Sequence, residues 1–301
     1  MTILQNYRQK FLMRYDEDGA LHYFQTKDFP SLTRRDISFP SERGETLRGG
    51  VYGYPNAENL IVFVHGIGPG HRAYMREIER LCRLGYFVLA YDMAGCGESD
   101  GEELFALSQA ISDLNACLNF VKKNFSCPVS LMGHSLGGYA VGNIGNFRKD
   151  FDKIVCLSGF LSVERIAKIY FGESADILAY ERAQTAYADS CSLTAYRGKK
   201  ALLIHSTDDV IVPYEETTAL VQKEYPELSY CIVQGRKHNP NYTADAVSYM
   251  NEVFSAYARA AKEGEISTLE EKKAFLAGTD WFRMTEQDEE VFSRIEEFLK
   301  S

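Results

Sequence analysis

Hydrophobic residues fall into two rhythms along this chain. Short unbroken runs, Leu60–Val64, Phe87–Tyr91, Val129–Met132, Ile154–Leu157, Ala201–His205 and Tyr230–Val233, have the pattern of strands buried on both faces of a parallel sheet. Between them the apolar spacing lengthens to three and four. This predicts helices over about 74–84, 107–125 and 214–224, the second with Ile111, Leu114, Leu118 and Val121 on one stripe. Strands separated by helices imply βαβ units. Ahead of them, Asp36–Phe39 and Leu47–Tyr52 flank Ser41-Glu42-Arg43-Gly44, which predicts a hairpin. Residues 1–30 read only as an N-terminal arm.

The alternation breaks between Gly159 and Arg197, where helix-like pieces replace strands. This predicts an insertion above the sheet: a core of residues 1–158 and 199–301 carrying a cap of 159–198. Residues after Asn239 read as helical. Ser267-x-x-Glu270 and Thr285-x-x-Asp288 have capping-box form, the second ahead of a helix with Val291, Phe292, Ile295, Phe298 and Leu299 on one face. Trp281 and Phe282 are expected to pack that helix against the body, with a homodimer contact as the alternative.

One stretch carries chemistry. The run Val129–Met132 stops at Gly133-His134-Ser135-Leu136-Gly137, and a small-residue helix start follows. A serine at the apex of so sharp a turn needs residues without side chains two positions to either side. The helix behind it would point its positive end at the hydroxyl. The pentapeptide alone is a weak signal; its strand–turn–helix context strengthens it.

Composition narrows the function classes. With 45% hydrophobic and 25% charged residues among 301, the chain can bury a large core. A net charge of −9 argues against a nucleic-acid partner. No run reaches the length of a membrane span, and the first residues lack signal-peptide form. Seven scattered cysteines without a Cys-x-x-Cys pair suggest reduced thiols and a cytoplasmic location.

In His65-Gly66, Asp92-Met93-Ala94-Gly95-Cys96-Gly97-Glu98-Ser99, Gly133 to Gly138, Asp209 to Pro213 and His238, the chain resembles the α/β-hydrolase superfamily. The group it is similar to is that of carboxylesterases, monoacylglycerol lipases and cinnamoyl esterases, over about residues 35–250. The resemblance implies the α/β-hydrolase fold, a mostly parallel sheet with helices on both faces and a small helical cap after the sixth strand. It also implies a triad in the order Ser135, Asp209, His238, and an oxyanion hole from the backbone N–H groups of Ile67 and Leu136. Asp208 neighbours Asp209; the family spacing to Val212-Pro213 points to Asp209. Family members often carry Arg and His where this chain has Ala94 and Cys96, and Gly where it has Ser206.

The activity implied is cleavage of a small-molecule carboxylic ester without cofactor or metal. A thioesterase or amidase/peptidase would use the same parts, and a silent ligand-binding relative is the reading from another class. Serine at the elbow argues against epoxide or halide chemistry, which needs aspartate there. His65 is expected to shape the oxyanion loop, His134 and His205 to be structural, and His22 and His71 to be surface or loop residues. The cap's apolar residues, Phe160, Ile166, Ile169, Tyr170, Phe171, Ile177, Leu178, Tyr180, Tyr187 and Tyr196, are expected mostly to form its own core, with two or three facing substrate.

Overall fold

The computed structural model describes residues 1–15, 24–55, 57–68 and 70–301. His22 lies outside them. Among the described residues eight strands form one sheet: β1 (Thr33–Pro40), β2 (Thr46–Gly53), β3 (Asn59–Val64), β4 (Tyr86–Tyr91), β5 (Val129–His134), β6 (Lys153–Leu157), β7 (Lys200–Ser206) and β8 (Ser229–Val233). Their order is β1-β2-β4-β3-β5-β6-β7-β8. Strand β2 is antiparallel to both β1 and β4, and every later pairing is parallel.

The helices are α1 (Ile3–Phe11), α2 (Met75–Arg83), α3 (Gln109–Asn124), α4 (Leu136–Asn143), α5 (Val163–Phe171), α6 (Ala175–Gln184), α7 (Ser192–Ala195), α8 (Thr218–Glu224), α9 (Ala244–Lys262), α10 (Leu269–Leu276), α11 (Trp281–Met284) and α12 (Glu289–Lys300). They cover both faces, because alternate side chains of each buried strand point opposite ways. Val62, Val64, Leu89, Leu131, Ile154 and Leu203 pack with α3, α4 and α8. Ile61, Phe63, Val88, Met132, Val155 and Leu202 pack with α2 and α12. The expected stripes on α3 and α12 are the buried ones, apart from Phe298, which is partly exposed. Among the described residues no helix is long and apolar enough to cross a membrane.

Several local expectations shift. The N-terminal arm holds α1, closed by a capping box between Thr2 and Gln5. The box expected at Ser267 and Glu270 forms one residue later, Thr268 with Glu271. Asp288, rather than Thr285, caps α12, accepting from Glu290 and Val291 N–H; Thr285 instead bonds the Trp281 carbonyl at the end of α11.

Helices α5, α6 and α7 lie between β6 and β7. Phe160, Ile166, Ile177 and Tyr196 are buried there, Tyr180 and Tyr187 bond Phe105 O and Glu42, and Phe171 packs against Tyr7 and Phe11. Glu181 fastens this layer. Its buried carboxylate accepts from Leu107 N (2.8 Å), Ser108 N (3.0 Å), the Ser108 hydroxyl and the Tyr7 hydroxyl. The arm is also stitched to the segment after β4. Tyr15 N–H bonds Gly95 O and Gly97 N–H bonds Tyr15 O, while the Arg14 guanidinium lies on the Gly97 and Ser99 carbonyls. That strand-like contact pairs Tyr15 with Cys96.

Beneath this segment, Asp113 of α3 accepts Ala94 N–H and Gln109 Nε2–H, each at 3.0 Å. Burial outweighs those two bonds and pushes its pKa up to about 7. A carboxyl raised above its unfolded value of about 4 stabilises the fold fully below that pH, and the contribution is lost as pH rises through about 7. Asp113→Asn keeps an acceptor for both donors. It is therefore expected to be more stable than wild type at pH 8, by roughly 2–4 kcal/mol, with no gain at pH 4. Urea unfolding at the two pH values checks this; an equal gain at both would refute it.

Candidate active site

Ser135 sits between the end of β5 and α4 with φ 56° and ψ −114°, a conformation costly for any residue with a Cβ. Its N–H is held by Leu157 O at 2.9 Å, and its carbonyl accepts Tyr139 N–H at 2.8 Å. Close backbone packing explains the glycines. A Cβ on Gly133 would overlap the Gly137 carbonyl, and one on Gly137 would overlap the Val64 and His65 carbonyl oxygens. The elbow is thus pressed onto the end of β3, and Gly66 comes with it: a Cβ there would lie 3.2 Å from Ser135 Cβ.

Three loops at the carboxyl ends of strands converge here. His238 Nε2 is 2.9 Å from Ser135 Oγ. Its Nδ1 is 2.8 Å from Asp209 Oδ2. Asp209 Oδ1 accepts Ile211 N–H (2.9 Å) and Val212 N–H (3.0 Å). His205 Nε2, 3.3 Å from Oδ2, adds a fourth donor direction. Burial alone would raise the pKa of Asp209, but the bonds from His205 and His238 outweigh it and hold the carboxyl well below the usual range.

Asp208 turns the other way. It accepts Gly235 N–H at 3.0 Å, Lys237 N–H at 3.3 Å and the Ser206 hydroxyl. Ser206 Oγ in turn accepts Arg236 N–H at 3.2 Å. Ser206 therefore helps tie the loop after β7 to the loop that carries His238. Leu136 opens α4, so its N–H is one of the helix's first-turn amides. Ile67 follows Gly66 in the loop after β3. The chain brings Ser135, Asp209 and His238 into one hydrogen-bonded line, with the Ile67 and Leu136 amides on the segments flanking it.

Among the described residues the remaining histidines are all engaged. His65 Nε2 accepts Met93 N–H at 3.0 Å, so Nδ1 donates to Gly66 O at 2.6 Å; burial lowers its pKa and keeps it neutral. His205, fully buried, bonds Thr218 Oγ1 and Val212 O, each at 2.8 Å. The expectation that His71 is a surface or loop residue fails. It is fully buried, with Nδ1 and N–H both 2.6 Å from Asp92 Oδ1 and Nε2 2.8 Å from the Tyr52 hydroxyl. It anchors the far end of the loop after β3. A Cβ on Gly70 (φ 111°) would overlap that Asp92 carboxylate. Tyr74 was also missed; its hydroxyl meets both Gly66 N–H and His134. The only signal was an aromatic residue shortly after the His65-Gly66 pair.

The fold agrees with comparisons to known proteins. A family model described as serine aminopeptidase, S33, matches residues 55–179. The curated 2-hydroxy-6-oxononadienedioate/2-hydroxy-6-oxononatrienedioate hydrolase of Escherichia coli O81 is 32% identical over 124 residues, 39% of this chain and 42% of that protein. The match therefore spans less than half the length of that relative. Among solved structures, a Pyrococcus furiosus esterase superposes with a TM-score of 0.64 at 20% identity, covering 96% of this chain and 98% of that one. Est1E from Butyrivibrio proteoclasticus, with ferulic acid bound, gives 0.60 at 21% identity over 74% and 99%. The chain has the α/β-hydrolase fold.

Gly137→Ala forces a methyl group against two main-chain oxygens, which can yield only if α4 leaves β3. A loss of about 3 kcal/mol or more is expected. Gly278→Ala, whose Cβ meets nothing within 4 Å, is expected to stay within about 0.5 kcal/mol. Denaturant unfolding of both variants checks the pair.

Proposed function

We propose that the chain is a serine hydrolase that cleaves a carboxylic ester through an acyl-enzyme on Ser135. The observation that carries this reading is the line from Asp209 Oδ2 through His238 to Ser135 Oγ, with spacings of 2.8 and 2.9 Å. Ser135 Oγ attacks the ester carbonyl while His238 Nε2 takes its proton. Asp209 holds Nδ1–H and stabilises the imidazolium. The backbone N–H groups of Ile67 and Leu136 receive the oxyanion; such a donor is worth on the order of a hundredfold or more in rate. The alcohol leaves with the proton from His238. Water, deprotonated by the same ring, then releases the carboxylic acid.

The surroundings favour an apolar substrate. Val210 and Ile211, just after the acid, are 77% and 46% exposed, and Ile169 of α5 is 37% exposed. Tyr170 joins them by donating to Ile211 O at 2.9 Å. An uncharged acyl or alcohol group would cover these side chains at a gain of about 25 cal/mol per Å². The description of the matching family favours amide cleavage as the second reading.

The test is hydrolysis of p-nitrophenyl esters of rising acyl length, beside methyl cinnamate and an aminoacyl p-nitroanilide. Ser135→Ala is expected to lose at least about a thousandfold in kcat, and Asp209→Asn about 10³–10⁴-fold. Asp208→Asn should lose about tenfold at most, because it only ties two loops. Wild type should also take a fluorophosphonate on Ser135. Absent turnover together with absent labelling would reject the enzyme reading in favour of a ligand-binding relative. Turnover of the anilide alone would move the assignment to an amidase.

A further inference from the structure

His134 precedes Ser135, yet its ring turns away from the nucleophile into a line of hydrogen bonds that the triad does not use. It is buried, with Nε2 2.7 Å from the main-chain carbonyl of His238 and Nδ1 2.9 Å from the Tyr74 hydroxyl. The Tyr74 oxygen accepts Gly66 N–H at 3.1 Å. A carbonyl can only accept, so Nε2 carries the proton; Nδ1 is then the acceptor and Tyr74 O–H the donor. The direction is set from end to end: Gly66 N–H to Tyr74, Tyr74 to His134, His134 to His238 O. The middle step needs a neutral imidazole, because only an unprotonated Nδ1 can accept. Burial first, and His238 second, lower the His134 pKa to about 3, and burial keeps the Tyr74 hydroxyl protonated.

The two ends of this line belong to segments far apart in the chain. Gly66 directly precedes Ile67, and His238 is the residue that meets Ser135 Oγ. The His134 and His238 rings also pack, 4.8 Å between centroids. We propose that Tyr74 and His134 are positioning residues that hold the oxyanion loop and the loop of the base in one register across Ser135. This rests on the serine-hydrolase reading above. Neither residue touches the reacting atoms. Each acts through a main-chain group whose placement sets the geometry of attack, where a misplacement of about 1 Å costs on the order of a hundredfold.

Tyr74→Phe removes one oxygen and leaves the ring beside Phe63, 5.2 Å between centroids. In this variant kcat for a p-nitrophenyl ester is expected to fall at least about tenfold, with KM within about twofold of wild type. The acid limb of the pH–rate profile should not move, because the His238–Asp209 pair is untouched. Affinity for a trifluoromethyl ketone, which forms an oxyanion, should fall by the same factor as kcat/KM. His134→Asn breaks the line at its centre and serves where Tyr74→Phe fails to fold. The double variant should be no slower than the slower single one, since both break one line. Exchange of the Gly66 amide, read by mass spectrometry, should quicken in Tyr74→Phe.

The proposal is overturned by a kcat within twofold of wild type, by losses that multiply in the double variant, or by Gly66 exchange that stays as in wild type. A wild type that neither turns over ester nor takes a fluorophosphonate overturns the hydrolase reading itself, and with it the catalytic purpose of the line. An active wild type beside an equally active Tyr74→Phe overturns the present proposal alone.

Discussion

Everything near the candidate site depends on how closely α4 lies against the end of β3. The turn at Ser135 holds a positive φ that costs on the order of 1–3 kcal/mol and persists only because its surroundings leave no other choice. All eight residues of α4 are buried. Tyr139 stacks on Phe160 at 4.3 Å, and Asn143 Nδ2 bonds Tyr139 O and Ser192 Oγ. These contacts fasten the helix from behind while Gly133 and Gly137 let its first turn approach the neighbouring backbone. The hydroxyl is therefore presented by packing on every side of it, and a side chain at either glycine would remove the approach rather than adjust it.

Around that fixed point, charge is handled by pairing. Asp209 gathers donors from two main-chain amides and two imidazoles, so it remains an anion although buried. Asp208, one residue earlier, faces the main chain of the neighbouring loop and is also held below the ordinary carboxylate range, by bonds that outweigh its desolvation. Two adjacent identical residues thus take separate tasks, because successive side chains leave the end of β7 in different directions. Asp92 repeats the logic on the other side of the site, with His71 and the Glu98 N–H as its partners.

How much of this was legible follows from which interactions are local. The buried strands announce themselves as apolar runs, and the stripe Ile111–Val121 as a helix face, because each is a short-range pattern. The Gly-x-Ser-x-Gly turn and the order Ser135, Asp209, His238 are legible for the same reason: each sits where a strand run stops. The Tyr74–His134 line, the His71–Asp92 pair and the Glu181 clamp are not, since each joins unremarkable residues tens of positions apart. His71 was misread because a histidine in a glycine-rich loop looks solvated until the Asp92 carboxylate is brought beneath it. The capping boxes slipped because several Ser, Thr, Asp and Glu residues compete there, and the start of each helix is set by packing rather than by the cap alone.

The helical layer over the sheet illustrates how a distant choice shapes the site. Glu181 sits at the start of α3, where the Leu107 and Ser108 amides and the helix dipole favour a negative charge, while burial raises its pKa. The same carboxylate takes the Tyr7 hydroxyl, so α6 and the N-terminal helix are fastened by one group. Phe11 and Phe171 close on Tyr7, and Tyr170 on Phe11, with edge-on ring contacts of 5.5–6.1 Å. Tyr170 then reaches Ile211 O, two residues from Asp209. A continuous chain of contacts thus runs from the N-terminal helix to the apolar rim beside Asp209. The position of that apolar rim thus depends on α1 and Glu181 as well as on its own residues.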